Sequence, residues 1–374
     1  MRSALRTGGN STAPYPAPLE SAKGCSPGLR RAGLLLAALL LARVSSGRDM
    51  LAHFYCIKDP SSTQSLEAHS RQVSLVSPAW FVVDRAGHLQ SSLDPAVVAW
   101  AQAQGVPLMP LLVNDKFQPE IAHALLSDPK IQSEVVGRIL EASTAYHFYG
   151  IELDLEGVSP ADRGAYAQFM RRLAAQFHGN HLRLGVAVPA PLAPAQHAGS
   201  ATDSEGKPWL PSNQSAAFDY RALGDAADIV SLMTYEQHIA PGDPGPVAGL
   251  PWVDACTRLV LGWVPRRKVL LGVPLYYRDW FGQSVREGEF SEAVALATQW
   301  RAPIKYDRKQ GEASVRFQDD QGSHTLWFEN AKSLREKVKL VKRYRLLGFS
   351  AWRLGCEDPA AWKRSFPKAP RMAP

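Results

Sequence analysis

The sequence predicts an α/β fold, and within that class a (β/α)8 TIM barrel with a small α+β insertion between strand 7 and helix 7. Three observations carry this prediction. Short apolar runs of strand length alternate with helical segments along the chain, the pattern of a parallel sheet covered by helices. About eight such units fit within the 374 residues, which favours a closed barrel over an open sheet. One stretch, from about Arg278 to Asn330, breaks the rhythm with alternating segments of antiparallel type.

The elements follow in order. Leu51 to Cys56 is an apolar and aromatic run ended by Lys58-Asp59-Pro60, and reads as a buried first strand. Ser65 to Arg71 has helical composition, and Gln72 to Phe81 is the second strand. Pro95 to Gln104 is a helix with Pro in its first turn. Val106 to Val113 is the third strand, broken by Asn114-Asp115, and helices follow around Ile121 to Leu126 and from Lys130 to Thr144. The fourth strand lies within Phe148 to Gly157. A helix from Pro160 to Phe177 leads to the fifth strand, Leu182 to Pro189. Phe218 to Ala226 is a short helix, Asp228 to Tyr235 the sixth strand, and Pro251 to Val264 the next helix. Lys268 to Leu275 is the seventh strand, Ser333 to Arg345 the last helix and Gly348 to Leu354 the eighth strand. In the insertion, Ile304 to Asp307, Ser314 to Phe317 and His324 to Phe328 are short strands, with a turn at Asp319-Asp320-Gln321-Gly322.

Residues 1–47 read as a signal peptide. Arg2, Arg6, Lys23, Arg30 and Arg31 precede the apolar run Gly33 to Ala42, and the small residues Ser45, Ser46 and Gly47 follow. The run is short of the roughly 20 apolar residues that a span requires. The mature domain, 48–374 with the insertion at about 278–330, is therefore expected to be secreted, with no membrane association after cleavage. The expected setting is the cell wall, or the lysosomal lumen in a eukaryotic host. Cys25 leaves with the leader, so Cys56, Cys256 and Cys356 remain, an odd number on which no disulfide framework can rest. Net charge is +7, in part within the leader, and the remainder forms no basic stripe, so no nucleic-acid partner is expected. No Cys/His spacing resembles a metal site, and neither metal nor cofactor is expected.

The chemistry concentrates in the fourth strand. With a period of two, Ile151, Leu153 and Leu155 fall on one face and Glu152, Asp154 and Glu156 on the other. Carboxyl groups this close repel, and at least one must become harder to ionise. Glu152, pointing inward beside two other acids, is expected to be buried and neutral near pH 7, bonded to Asp154 or to the Ser231 hydroxyl. The ends of the other strands supply Tyr55, Trp80, Asn114, Met233, Tyr235, Glu236, Tyr276 and Trp352. In a barrel these ends build the active site. Aromatic platforms around acids suit a carbohydrate, whose ring stacks on the platform while its hydroxyls bond the carboxylates.

Gly150-Ile151-Glu152-Leu153-Asp154-Leu155-Glu156 resembles the signature strand of glycoside hydrolase family 18, the chitinase-like barrels. Ser231 to Glu236 resembles the family's sixth-strand motif, and Gly348 to Gly355 its eighth strand. Gly245 to Trp252, Leu271 to Tyr276 and Leu326 to Ser333 are similar to the branch of spore cortex lytic N-acetylglucosaminidases and chitobiase-like proteins. The resemblance implies a retaining, substrate-assisted hydrolysis of β-linked N-acetylglucosamine-containing glycans, of peptidoglycan or chitin type. It implies Glu156 as the acid, Asp154 as its partner, and Tyr235 bonding the acetamido carbonyl of the substrate. Glu152, Met233, Glu236, Tyr276, Trp352, Trp80 and Tyr55 would line the substrate site of a monomeric enzyme. Tyr149, Glu152 and Glu236 depart from the family's usual residues. The alternative they support is a chitinase-like lectin with weak or no catalysis; the retained Glu156 speaks for the enzyme.

Overall fold

The computed structural model describes residues 50–194, 201–202, 208–211, 213–239 and 242–367. The signal-peptide segment 1–47 and Cys25 lie outside the described residues. The strands are β1 (Leu51–Cys56), β2 (Leu75–Pro78), β3 (Phe81–Val83), β4 (Leu89–Ser91), β5 (Leu111–Asn114), β6 (Gly150–Asp154), β7 (Arg183–Pro189), β8 (Leu192–Pro194), β9 (Ala201–Thr202), β10 (Pro208–Pro211), β11 (Ile229–Met233), β12 (Val269–Pro274), β13 (Tyr277–Phe281), β14 (Ser284–Gly288), β15 (Lys305–Asp307), β16 (Glu312–Asp319), β17 (Gly322–Phe328) and β18 (Gly348–Trp352). The helices are α1 (Pro60–His69), α2 (Pro95–Gln104), α3 (Pro119–Ser127), α4 (Pro129–Ala145), α5 (Arg163–Gly179), α6 (Tyr220–Ala226), α7 (Leu250–Val260), α8 (Phe290–Gln299), α9 (Ala331–Tyr344) and α10 (Ala361–Arg364).

Three helices begin at the same local signal. Asp59-Pro60, Asp94-Pro95 and Asp128-Pro129 each place an Asp at the N-cap and a Pro at the first helical position. Each Asp accepts from the backbone N–H two residues on, and Pro has no N–H to leave orphaned. Helix α9 starts on Asn330, whose side chain accepts from Lys332 and Ser333 while the Ser333 hydroxyl returns to the Asn330 N–H.

The large sheet runs β2-β1-β18-β12-β11-β7-β6-β5-β3-β4, parallel throughout except for the terminal β3–β4 hairpin. It closes on itself where β2 meets the segment leading into β5. The Val76 N–H donates to Pro107 O and the Met109 N–H to Val76 O. The predicted barrel is thus the observed fold. Two strand readings are redrawn. The stretch Gln72 to Phe81 is not one strand but β2 and β3, separated at Ala79 and Trp80, whose N–H groups turn to Cys56 O and Pro78 O. Only Leu111–Asn114 of the third run is a regular strand, because Pro107 and Pro110 cannot donate to a ladder.

Inside the barrel, Leu51, Leu75, Met109, Ile229 and Leu270 fill the layer at the amino ends of the strands. The layer above is polar. His53, Ser77, Glu152, Ser231 and Ser350 are all buried there. Outside the strands, the main core packs the helices against Phe54, Phe81, Ile151, Leu153, Val186 and Phe349. Cys56, Cys256 and Cys356 are buried free thiols. Among the described residues no helix is long and apolar enough to cross a membrane.

Between β12 and α9, strands β13–β17 form an antiparallel sheet in the order β14-β13-β17-β16-β15. Its own core joins α8 to the sheet through Tyr277, Ala293, Ala297, Ala313, Val315, Leu326 and Phe328. The β13–β14 hairpin and α8 were not legible in the alternating pattern that marked the other three strands. A buried charge cluster ties this lobe to the barrel. Glu312 on β16 accepts from the N–H groups of Val247 and Ala248 at 2.8 and 2.9 Å. Lys337 on α9 lies 2.5 Å from Glu329, and all three side chains are fully buried. Burial and the neighbouring Glu329 push Glu312 up to about 8 from 4.5. A carboxyl that resists ionisation in the fold adds stability below its unfolded pKa and loses it as pH rises through the folded one. Thermal stability is therefore expected to decline between pH 4.5 and about 8, and Glu312→Gln should flatten that decline in a calorimetric pH series.

Candidate active site

The site is assembled at the carboxyl ends of the strands. β6 carries Glu152 and Asp154 inward because alternate residues share a face. Glu156 follows two residues later, just past the strand end, and is half-buried. Its backbone is clamped by Asn114, at the end of β5. Asn114 Oδ1 accepts the Glu156 N–H and Asn114 Nδ2 donates to Glu156 O, both at 3.0 Å. The turn that follows needs Gly157, at φ +68°, where a Cβ would lie 2.5 Å from the Phe117 carbonyl oxygen. Asn114→Ala would leave two partly buried backbone groups of Glu156 without their side-chain partner. Stability should fall by roughly 2 kcal/mol or more and kcat by about tenfold, as read by denaturant melts and steady-state rates.

Glu152 spans the barrel interior. Gly185, its neighbour on β7, makes the room, since a Cβ there would approach the Glu152 side chain to 3.1 Å. Glu152 Oε1 accepts from Tyr55 OH at 3.0 Å and Oε2 from Ser77 Oγ at 3.1 Å. Burial pushes Glu152 up to about 7, against the pull of the Ser231, Tyr55 and Ser77 hydroxyls. Of its two expected partners, the Ser231 hydroxyl is among the groups that pull on it, and a bond to Asp154 is not among its contacts. Hydroxyl donors from β1, β2 and β11 surround it instead, and donors favour the ionised form. Asp154 is pushed up to about 7 by burial first and then by the charge of Glu152. Its Oδ1 has no hydrogen-bond partner among the described residues. The charge of Glu152 thus opposes ionisation of Asp154, and the two titrations are linked.

The aromatic residues close around this pair. Trp352, at the end of β18, lies 5.4 Å from Tyr55 between ring centroids. Tyr235 and Tyr276 meet edge to face at 6.5 Å. Burial and then the neighbouring Tyr55 and Asp154 hold the Tyr235 phenol well above 10, so it stays a neutral donor. The Tyr276 hydroxyl is buried and without a partner among the described residues. Met233 ends β11, two residues before Tyr235, and is buried. Glu236 takes a left-handed conformation, φ +63°, and accepts from Arg278 of β13 at 2.8 Å. Arg278 also bonds Glu287 and the His238 carbonyl, so the inserted lobe grips the loop that follows Tyr235.

The structure brings together Tyr55, Glu152, Asp154 and Tyr235, with Trp352 against Tyr55 and Tyr276 against Tyr235. Trp80 stands apart. Its ring packs 6.1 Å from Phe148, which precedes the amino end of β6, opposite the end that carries Asp154. Sequence reasoning missed Ser77 and Arg278 as parts of the site and gave Asn114 no role. Asn114 was visible as a strand end; the other two carry no local signal. Among the described residues, no group of three or more His, Cys, Asp or Glu side chains is placed to hold a metal ion.

A barrel mouth with adjoining carboxyls and aromatic walls suits the site of a glycoside hydrolase. The profile named Glycosyl hydrolases family 18 matches residues 114–358, and the chain belongs to that family. The chain is 33% identical over 271 residues to the cortical fragment-lytic enzyme of Bacillus subtilis (strain 168), covering 70% of this chain and 60% of that one. It is 25% identical over 321 residues to the protein named "Uncharacterized glycosylase YvbX" of the same organism, covering 83% and 88%. Among solved structures, the chitinase from Chromobacterium violaceum ATCC 12472 matches with a TM-score of 0.74 at 27% identity, over 84% of this chain and 97% of that one. The protein is a glycoside hydrolase related to cortex-lytic enzymes and chitinases, a kinship that supports hydrolysis of N-acetylglucosamine-containing glycans.

Proposed function

We propose that the protein is a secreted, retaining glycosidase that cleaves β-linked N-acetylglucosamine-containing glycans of peptidoglycan or chitin type by substrate-assisted catalysis. The observation that carries this reading is the pairing of Asp154, raised to about 7 and with an unbonded oxygen, with Glu156 two residues on, in a mouth walled by Tyr235, Tyr276 and Trp352. Glu156 gives its proton to the glycosidic oxygen. The acetamido carbonyl of the substrate closes on the anomeric carbon, and the resulting positive oxazolinium is stabilised by Asp154. Tyr235 donates to the acetamido oxygen, and Trp352 floors the sugar. Water then opens the intermediate on the same face, with Glu156 as base.

The test is release of reducing ends from purified peptidoglycan, chitin oligosaccharides and N-glycan cores, with the anomer of the first product read by NMR. A β-product from peptidoglycan or chitin oligosaccharides supports the reading. An α-product would mean inversion, and binding of all three without any release would leave a lectin. Secretion is checked by N-terminal sequencing of exported protein, expected to start near Gly47; an intact Leu34 to Leu41 segment would count against it.

A further inference from the structure

Helix α9 carries a dense run of cations, and the reaction proposed above uses none of them. Lys332, Arg335, Lys339, Lys342 and Arg343 recur at intervals of three and four residues, so they share one face. All five are exposed, and the exposed Arg345 follows at the helix end. The opposite face, with Leu334, Lys337, Val338, Leu340 and Val341, is buried. Arg266 and Arg267, which precede β12 and are also exposed, extend the row. The Leu347 N–H donates to Arg266 O at 3.2 Å, which sets that pair beside the end of α9. On the other flank, Asp254 of α7 accepts from Tyr344 OH at 2.7 Å and lies 3.6 Å from Arg343 and 3.2 Å from Arg258. The expectation of no basic stripe is thus corrected: the helix period and the barrel gather cations that are dispersed along the chain.

We propose that this stripe docks a polyanionic glycan, namely peptidoglycan, whose stem peptides carry carboxylates, and not chitin, which is neutral. The proposal rests on the reading given under Proposed function and selects among its substrates.

The stripe is a local excess and not a reflection of composition. Lys and Arg exceed Asp and Glu by 7 in the whole chain, and residues 1–48 alone hold seven cations and one acid. The rest of the chain is therefore close to neutral. Most of the stripe is also unpaired. Lys339 bonds Glu336 at 2.8 Å, and Lys332 stands 3.6 Å over the Tyr306 ring. Arg335, Lys342, Arg345, Arg266 and Arg267 make no side-chain hydrogen bond or ion pair among the described residues. Arg335 and Lys339, like Lys339 and Arg343, stand four residues apart, a spacing at which like charges destabilise a helix. The helix dipole accounts for Lys342 and Arg343 in the last turn, but it disfavours Lys332 in the first. Opposite charge from outside relieves this repulsion.

The shape of the stripe favours a chain over a bilayer. From Lys332 to Arg343 it is a line about 16 Å long, a match for repeated charges on a polymer. A helix that lies in a bilayer adds large apolar side chains for the interior. The exposed large apolar residues Ile239, Leu259, Trp300 and Ile304 all lie off α9 and off Arg266 and Arg267. The place of the helix fits as well. α9 starts beside the mouth, where the Ala331 N–H donates to Asp358 Oδ2 at 2.8 Å, and runs down the flank to the amino end of β18. A strand held there reaches the rim without filling the cleft. The stripe therefore adds affinity for a polymer and none for a short oligosaccharide.

The test is co-sedimentation of the full chain with purified peptidoglycan and with chitin, in a Glu156→Gln background that keeps both polymers intact. Arg335→Gln/Lys339→Gln/Lys342→Gln should bind peptidoglycan about tenfold more weakly at low salt. High salt should erase most of that difference, and chitin binding should not change. Lys58→Gln/Lys130→Gln/Arg171→Gln removes as much charge from exposed positions elsewhere and should bind as its parent does. Arg266→Gln/Arg267→Gln, off the helix, should show a smaller loss and serves if the α9 variant fails to fold. With Glu156 restored, the α9 variant should show a raised KM on polymeric peptidoglycan and unchanged kcat/KM on a short chitin oligosaccharide. Unweakened peptidoglycan binding, an equal loss in the two triple variants, or an equal loss on chitin would overturn the proposal. So would binding to phosphatidylglycerol vesicles that the α9 variant loses while it keeps peptidoglycan, since the surface would then belong to a membrane. Absence of turnover by the wild type on every glycan would sink the functional reading, while sedimentation still decides the role of the stripe.

Discussion

Glu156→Gln is expected to lower turnover of an N-acetylglucosamine oligosaccharide by roughly 10²-fold or more, with substrate affinity retained. The amide keeps the shape of the side chain and its backbone clamp on Asn114, but it has no proton to give the leaving oxygen. Asp154→Asn should also slow the reaction, because a neutral amide cannot offset the charge that forms on the oxazolinium. The substrate sharpens the test. Replacing its 2-acetamido group with a hydroxyl removes the internal nucleophile, so turnover should vanish even where binding persists. A thiazoline mimic of the intermediate should compete with substrate. Efficient cleavage of a glucoside without the acetamido group, or a covalent glycosyl ester trapped on Asp154, would contradict the mechanism.

Lys337→Ala is expected to destabilise the protein by about 3–5 kcal/mol. Lys337 stands 2.5 Å from Glu329, Glu329 is close enough to push the Glu312 carboxyl up, burial holds Glu329 itself above its ordinary value, and all three side chains are buried. Removing the cation leaves two buried acids with no charge to oppose them, and one or both must bind a proton to stay inside. The loss should therefore be smaller at pH 5 than at pH 8, which chemical denaturation at the two values would show. Lys337→Met fills the space without the charge and should behave in the same way. A loss independent of pH would mean that Lys337 acts by packing alone. The site should feel the change too, because Glu312 holds the Val247 and Ala248 backbone in the loop that follows Tyr235 and Glu236.

Both expectations depend on groups that the chain places far apart. The barrel itself was legible, because strand and helix periods are local. Apolar runs of strand length such as Val269–Pro274 read as buried strands, and the Asp-Pro pairs at Asp59, Asp94 and Asp128 mark helix starts. The row Glu152, Asp154, Glu156 was legible for the same reason: residues two apart on a strand share a face. Family 18 membership, too, was carried by short contiguous motifs. What surrounds the carboxyls was not legible. Tyr55 and Ser77 reach Glu152 across 97 and 75 residues of chain. Arg278 meets Glu236 from an inserted sheet, and Asn114 meets Glu156 from the neighbouring strand. Trp80, equally plausible as a strand-end aromatic, packs against Phe148 instead. Each of these pairings is set by the stagger of strands around a closed barrel and by the path of the inserted lobe. A one-dimensional period tells which face a side chain takes, and only the packed barrel decides what stands opposite it.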